Sequence, residues 1–546
     1  MLIYFLYTLH SDCGPLILKI NFLITICIII FNFFKYLLIF LIILCKIYVA
    51  MVFIYYIFQY SYCKCGGFHM RYVNRNDLLI IIRNMGLLMI GIGVLSMVPI
   101  FVDLIYLEFN FVSFIVPSVI SIALGFIFIK VLDEYSLSKI RLKHAMIISS
   151  LSWLWAGIVG GVILQAVTGL SIVDGIFESI SALTGSGITI YPDVESLPHS
   201  VLFFRGFQQW IGGLGIIVMI ISVLTKPGTI SSKLYRSEAR DDYIKPSTKA
   251  TIKQFLKIYL IYTAVGIILY SLAGMPIFDS VCNTFSIIST GGMSVKNANI
   301  GFYNDEVIYF ITIVLMILGA TSFVVHFNII KTRGKSIIND LQFQVMITLI
   351  AVSTLLIFFT SKIIPMDILF VVVSAITTTG ASIESSMVMG GWPPFAIFII
   401  ISLMLIGGST GSTVGALKLM RVITFFKGIY KNSREIWSPE RSVVSVKISD
   451  KKLTDSVAAQ SGNYIALYFL CILITWALLC LYGHNAFDSL FFTISMQGNV
   501  GLEIGQMSQT LEWPLKIMGI FNMWTGRLEI YPVLITLRAF FEIFKK

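Results

Sequence analysis

The chain has 546 residues, of which 57% are hydrophobic and 12% charged, with a formal net charge of +11 and a mean hydropathy of +0.90. An ordinary soluble domain is about 45–50% apolar and about 25% charged, so the soluble, disordered and fibrous classes are excluded. The positive charge does not point to nucleic acid, because the longest polar connections, Lys226 to Lys257 and Lys427 to Asn463, are too short to bury a core of their own.

In chain order, residues 1–69 come first, with a nearly continuous apolar run from Ile20 to Phe58. That run exceeds the 7 to 15 residues of a signal-peptide core. It fits one or two extra membrane helices, or else a chain whose translation begins at Met70. Five of the eight cysteines precede residue 66, while Cys282, Cys471 and Cys480 stand alone in apolar surroundings, so they read as small buried hydrophobes and not as a disulfide framework. Beyond Met70 the apolar runs predict ten spans, near 78–102, 111–132, 145–168, 201–224, 252–274, 306–328, 343–361, 395–424, 463–482 and 514–541, the eighth interrupted by glycines.

Between several of these spans lies a second kind of segment, too short to cross and ending in Gly, Ser and Thr. Four glycines align them: Gly187, Gly292, Gly380 and Gly501. Thirteen residues before each stands an aspartate (Asp174, Asp279, Asp367, Asp488), and six before each a serine (Ser181, Ser286, Ser374, Ser495). Ten before stand Phe177, Cys282, Phe370 and Phe491. Agreement at three offsets in four places marks a fourfold tandem repeat. Each unit reads as a full span, an aspartate as N-cap, a short helix of about ten residues, a Gly/Ser/Thr turn and a second full span. The chain then divides into an extra segment 1–69, a two-helix unit 70–144, and repeats at 145–225, 226–330, 331–426 (with a broken second helix) and 427–546.

Orientation follows from the basic residues: 27 of the 39 Lys and Arg lie in the connections between repeats, in Lys130 to Lys143 and in the C-terminal tail. Those ends face the cytoplasm by the positive-inside rule. The opposite ends hold 12 acids between Asp174 and Glu512 but only Arg205, Lys296, Lys362 and Lys516 as cations, which makes an electronegative mouth.

Non-helical backbone at membrane depth must be buried in protein or line water. Four glycine turns around a shared axis meet that demand by pointing carbonyl oxygens into a narrow channel, a ring suited to a cation. The turns are Thr184-Gly185-Ser186-Gly187, Ser289-Thr290-Gly291-Gly292, Thr377-Thr378-Thr379-Gly380 and Gly498-Asn499-Val500-Gly501. None carries a charged side chain, so coordination comes from backbone and hydroxyl oxygens, which suits a monovalent ion.

These motifs resemble the Trk/Ktr/HKT superfamily of potassium transporters, most closely its Trk-type membrane subunit. The resemblance runs from about residue 70 to the C-terminus. It includes Phe204-Arg205, Gln209-Trp210-Ile211-Gly212-Gly213-Leu214-Gly215, Ser289 to Ser294, Thr377 to Gly380, Gly407 to Thr413 and Gly526-Arg527-Leu528-Glu529-Ile530. It implies an all-α polytopic membrane protein: four tandem helix–pore helix–filter–helix repeats around one pseudo-fourfold pore, preceded by two extra transmembrane helices. It further implies that the four turns form a selectivity filter, and glycine at all four anchors implies potassium as substrate, sodium or sodium-coupled transport being the alternative. Gly185 and Ser186 depart from the threonines usual in the first turn, and Leu502 and Glu503 from the usual Pro-Gly after the fourth; Glu503 adds charge at the mouth.

The run Gly407, Gly408, Ser409, Thr410, Gly411, Ser412, Thr413 and Gly415 interrupts the second span of repeat three. Read alone it allows close helix packing; the resemblance implies a gate beneath the filter, stiffened by Val414 and Ala416. Arg527 is the only basic residue deep in the last span, where a charge is expensive unless it meets water or a partner; the resemblance places it in the pore. Glu529, two positions on, points to another helical face. Partners implied by the resemblance are a second copy of the chain and a cytosolic nucleotide-binding regulatory subunit, with no cofactor on this chain. The competing reading, an intramembrane serine hydrolase built on Ser186 with His326 or His484 as base, leaves the repeat unexplained.

Overall fold

The computed structural model describes residues 74–135, 140–215, 248–332, 334–383, 389–439, 442, 444–448, 451–504 and 511–544. The readings on residues 1–69, on the second half of the 201–224 span and on most of the Lys226 to Lys257 connection lie outside the described residues.

The two-helix unit contains α1 (Arg75–Ser96), a short α2 (Ile100–Ile105) and α3 (Phe111–Val131), with α1 and α3 packed side by side. Repeat one contains α4 (Leu142–Thr168), α5 (Ile172–Thr184) and α6 (His199–Leu214). Repeat two contains α7 (Thr248–Leu272), α8 (Ile277–Ile288), α9 (Glu306–Ala320) and α10 (Phe323–Thr332). After the single turn α11 (Lys335–Ile338), repeat three has α12 (Leu341–Thr360), α13 (Pro365–Ile376), α14 (Pro394–Ile406) and α15 (Leu419–Trp437). A two-residue hairpin pairs β1 (Lys447–Ile448) with β2 (Lys451–Lys452). Repeat four follows with α16 (Asp455–Leu481), α17 (Ala486–Gly498), α18 (Trp513–Arg527) and α19 (Tyr531–Phe544). The molecule is an all-α polytopic membrane protein.

Helices α5, α8, α13 and α17 have 13, 12, 12 and 13 residues. At 1.5 Å per residue each is about 18–20 Å long, short of a hydrocarbon core of about 30 Å. The aspartate of each unit is not the N-cap, as the sequence suggested. The caps are Ser171, Pro276, Ile364 and Asn485, which puts Asp174, Asp279, Asp367 and Asp488 three residues inside, at N3 of every pore helix. A carboxylate there still meets the positive end of the helix dipole without needing the extended backbone of a cap.

The second spans differ from expectation more widely. Repeat three is interrupted between α14 and α15, as its glycines indicate, but repeats two and four break as well. α9 turns by 105° into α10 at Thr321 and Ser322. α18 ends at Arg527, where Glu529 and Ile530 both take φ of +61° and so cannot continue a right-handed helix. Among the described residues, six helices are long and apolar enough to cross a membrane singly, or seven if the bent pair counts as one. Three further apolar helices, Ile277–Ile288, Pro365–Ile376 and Pro394–Ile406, are shorter.

One helix start is completed from far away in the chain. α6 has no cap of its own behind Pro198; instead the Glu108 carboxylate, in the turn before α3, accepts from the backbone N–H of His199 (2.6 Å) and Ser200 (3.0 Å) and from the Ser200 hydroxyl (2.6 Å). Tyr106 stacks on the His199 ring at 3.9 Å. Burial pushes the Glu108 carboxyl up, but the bonds from Ser200 and His199 outweigh it and hold it below the ordinary value of 4.5. A carboxyl depressed by folding adds stability above its unfolded pKa and loses it as pH falls through the folded value. We therefore expect Glu108→Ala to lower thermal stability by about 1 kcal/mol at neutral pH, and wild type and variant to converge in melting temperature as the medium is acidified below 4.5.

Candidate cation site

Each pore helix stops in the same way. The N–H two residues before the anchor glycine bonds back to the carbonyl three residues earlier, in Gly185 to Ala182, Thr290 to Ile287, Thr378 to Ala375 and Asn499 to Met496, at 3.0–3.2 Å. The next N–H reaches the carbonyl of the repeat's serine: Ser186 to Ser181, Gly291 to Ser286, Thr379 to Ser374 and Val500 to Ser495, at 2.8–2.9 Å. These two bonds define a Schellman motif, whose C′ residue must be left-handed. That residue is Gly185 (φ +74°), Thr290 (+55°), Thr378 (+51°) or Asn499 (+50°), and the anchors Gly187, Gly292, Gly380 and Gly501 are left-handed again at +74° to +98°. Alternating the sign of φ turns successive carbonyls toward one side, where an extended strand would send them to opposite sides.

The anchors then meet in cyclic order. A side chain on Gly187 would run into the carbonyl of Gly291, one on Gly292 into Thr379, one on Gly380 into Val500, and one on Gly501 into Ser186. Repeat one abuts two, two abuts three, three abuts four, and four abuts one, so the four turns encircle a common axis. All four anchors also line one cavity of about 240 Å³, together with Arg205, Ser294, Lys296, Asn299 and Glu503. The carbonyls of Ser186, Thr379 and Val500 accept no hydrogen bond from the described residues. Buried carbonyls of this kind are costly unless something else binds them. The negative ends of four pore-helix dipoles stand at the same place, so the chemistry on offer is coordination of a cation by oxygen.

The interruption between α14 and α15 lies against the inner ends of these turns. Thr413 shares a hydrogen bond with Thr290 (3.0 Å), Gly415 N–H donates to the Thr378 hydroxyl (3.0 Å), and Ala416 N–H to Gly498 O (3.0 Å). Left-handed threonine is strained, at a cost of order 1–3 kcal/mol; both such threonines, Thr290 and Thr378, hold the loop with their hydroxyls. On its other side the loop uses the carbonyls freed where α9 ends: Ser409 N–H donates to Ala320 O, and Thr413 to Gly319 O through both N–H and hydroxyl. Gln342 accepts from the N–H and hydroxyl of Thr410 (2.8 and 2.7 Å). Gly407, Gly408, Ser409, Ser412, Thr413 and Gly415 are buried, with Thr410 and Gly411 partly so. Arg527 closes the circle, donating to Thr413 O (2.6 Å), to Gly213 O (3.0 Å) and to Gly212 O.

Comparison with known proteins matches this architecture. The family model TrkH, described as a cation transport protein, matches residues 118–379 and 365–542. The chain belongs to the TrkH family of cation transport proteins. It is 36% identical over 466 residues to an uncharacterized cation transporter of Methanocaldococcus jannaschii, covering 85% of this chain and 96% of that one. It is 28% identical to the Trk system potassium uptake protein TrkH of Salmonella typhimurium, covering 83% and 97%. The crystal structure of the potassium transporter TrkH from Vibrio parahaemolyticus aligns with a TM-score of 0.74 at 26% identity, over 84% of this chain and 98% of that one.

As a TrkH-family member the chain carries no hydrolase machinery. The His326 ring is bonded to Tyr262 and Leu318 O, and His484 to Glu512, while the buried Ser186 hydroxyl has no hydrogen-bond partner among the described residues. Two buried ionic clusters were not read from the sequence. Glu178 on α5 accepts from Arg205 Nε (2.8 Å), the Thr189 hydroxyl (3.0 Å) and Ile190 N–H (2.9 Å), bracing the chain just past Gly187. Glu529 binds Lys418 Nζ (2.7 Å) and Arg421, joining the break of repeat four to that of repeat three. The signal was present, since a charge within an apolar span demands a partner, but the partners lie 27, 111 and 108 residues away. The departure Gly185 is also explained: at a left-handed position, φ +74°, glycine avoids the strain that threonine bears at Thr290 and Thr378.

The cyclic contact separates two roles of glycine. Gly380→Ala puts a methyl against Val500 O, whereas Gly169→Ala, at the same φ of +74°, meets nothing within 4 Å. We expect Gly169→Ala to cost about 1 kcal/mol in stability and leave cation uptake intact, while Gly380→Ala abolishes uptake at equal membrane abundance, measured as initial influx.

Proposed function

We propose that this chain is the pore subunit of a potassium uptake system in the cytoplasmic membrane. The closed cyclic order of the four anchor glycines carries this reading: four matching turns within one polypeptide offer backbone oxygens in place of an ion's water. Potassium enters from the cavity that Glu503 lines and sheds its hydration against Thr184 to Gly187, Ser289 to Gly292, Thr377 to Gly380 and Gly498 to Gly501. The names of two relatives, one a potassium uptake protein and one a potassium transporter, support the choice of ion. The pore residues carry out no covalent chemistry.

In this reading the Gly407 to Gly415 loop is the gate. It leaves the inner end of the pore only when its bonds to Thr290, Thr378, Gly498, Gly319 and Ala320 are given up. Arg527 serves twice, as a clamp on Thr413 O and as a positive charge that speeds release of a bound cation. A dimer of such chains, with a cytosolic nucleotide-binding subunit on the basic face, supplies the force that moves the loop.

Uptake of potassium and of sodium in a strain lacking its own potassium systems tests the proposal. Growth at low potassium and potassium influx well above sodium influx are expected for the full chain; influx of sodium alone would overturn the choice of ion. Gly292→Ser, which sets a Cβ against Thr379 O, should lose ion influx at equal membrane abundance. Arg527→Ala, which loses the charge-assisted bond to the loop carbonyl of Thr413, worth about 1.5 kcal/mol, should raise influx in the absence of the cytosolic partner about tenfold; influx unchanged or lower would remove the clamp from the mechanism.

A further inference from the structure

We infer that Gln209 is a positioning residue for the second filter turn and sets how strongly the pore discriminates potassium from sodium; the inference rests on the filter reading above. The repeats brace their turns by a common device, and repeat two lacks it. In repeats one and three the serine six residues before the anchor donates its hydroxyl to the carbonyl just past it, Ser181 to Ile188 O (2.6 Å) and Ser374 to Ala381 O (2.7 Å). In repeat four Ser495 accepts from the anchor's own N–H (3.0 Å). In repeat two the buried Ser286 hydroxyl has no hydrogen-bond partner among the described residues.

Gln209 takes over that task from a different repeat. It sits on α6 of repeat one with none of its surface exposed. Its Nε2 donates to Gly291 O (2.7 Å) and its Oε1 accepts from Met293 N–H (3.3 Å), so one amide grips the chain on both sides of Gly292. The fit is close, for a Cβ on Gly291 would stand 2.5–2.8 Å from the amide atoms. Asn299 adds a bond from Nδ2 to Gly292 O (3.0 Å).

Gly291 O is the ring oxygen next to Gly187, and its counterparts Ser186 O, Thr379 O and Val500 O accept nothing from the described residues. One ring oxygen in four is therefore held by a donor on a rigid helix. Sodium is smaller and more tightly hydrated than potassium, so a filter that accepts it must let its carbonyls close inward. Gly291 O cannot follow without breaking its bond to Gln209, and the penalty falls on the smaller ion. The last turn of the same helix contains Gly212 and Gly213, whose carbonyls hold Arg527, so the brace is anchored to the gate side as well.

The test compares wild type, Gln209→Met and Gln209→Glu in the potassium-deficient strain, with initial rates of potassium and sodium influx divided by the amount of protein in the membrane. Gln209→Met removes both bonds at similar volume. Gln209→Glu keeps an acceptor for Met293 and sets a carboxylate oxygen against Gly291 O. Both should lower the potassium-to-sodium ratio about fivefold or more, the worth of a lost buried hydrogen bond. A potassium-selective wild type whose two variants keep the ratio within about twofold, whatever their absolute rates, overturns the inference and leaves the filter reading standing. A wild type with no potassium preference overturns the filter reading, and this inference with it. Should Gln209→Met be absent from the membrane, Gln209→Glu decides by the same ratio.

Discussion

Backbone carbonyls left without hydrogen-bond donors in the middle of a membrane protein are the constraint on which this structure turns. Lipid cannot satisfy them and neither can a neighbouring helix, because the helix ladder consumes its own N–H groups. The four Schellman endings make the situation acute. They use the N–H groups at the end of each pore helix internally, while the oxygens of Ser186, Thr379 and Val500, each set against a neighbouring repeat's anchor glycine, accept no hydrogen bond from the described residues. In the proposed reading a mobile cation supplies what is missing, and it can enter and leave. Short helices, left-handed residues and glycine anchors all serve to keep those oxygens exposed to it.

Everything around the ring works to hold strained backbone in place. Strain at Thr290 and Thr378 persists because their hydroxyls are engaged by the Thr413 and Gly415 positions of the loop. The breaks in α9, α14 and α18 are mutually dependent: carbonyls freed at Gly319 and Ala320 receive the N–H groups of the loop, and Arg527 receives the loop's own Thr413 carbonyl. Three interrupted helices, each unstable alone in lipid, thus complete one another. Such an arrangement is bistable in principle, since releasing one element leaves polar groups on the other two that demand new partners.

The fourfold pattern is a scaffold and not a symmetry of function. Repeat one uses the Glu178–Arg205 pair behind its turn, repeat two borrows Gln209 and Asn299, and repeats three and four rely on their serines. Repeats three and four also share an ionic cluster, in which Lys418 and Arg421 both bond to Glu529. Tandem duplication within a single chain permits this, because each copy of a position accepts its own residue, whereas identical subunits must share one.

What the amino-acid sequence determined by itself was everything local and periodic. The apolar runs declared a membrane protein, the fixed offsets from Gly187, Gly292, Gly380 and Gly501 revealed four units, and the glycine run at Gly407 announced a broken helix. These are legible because helix length and backbone freedom are properties of neighbouring residues. Tertiary structure decided the rest. That the four turns close into a ring, that α9 and α18 break without a glycine run, that Glu108 caps a helix 91 residues away and that Gln209 bonds to Gly291 of another repeat all depend on contacts distant in the chain. The aspartates show the boundary: their spacing was correct, but whether they sat at the cap or three residues inside was set by where Ser171, Pro276, Ile364 and Asn485 let each helix begin. A buried polar group advertises in sequence only that it needs a partner; which residue answers is a matter of three-dimensional packing.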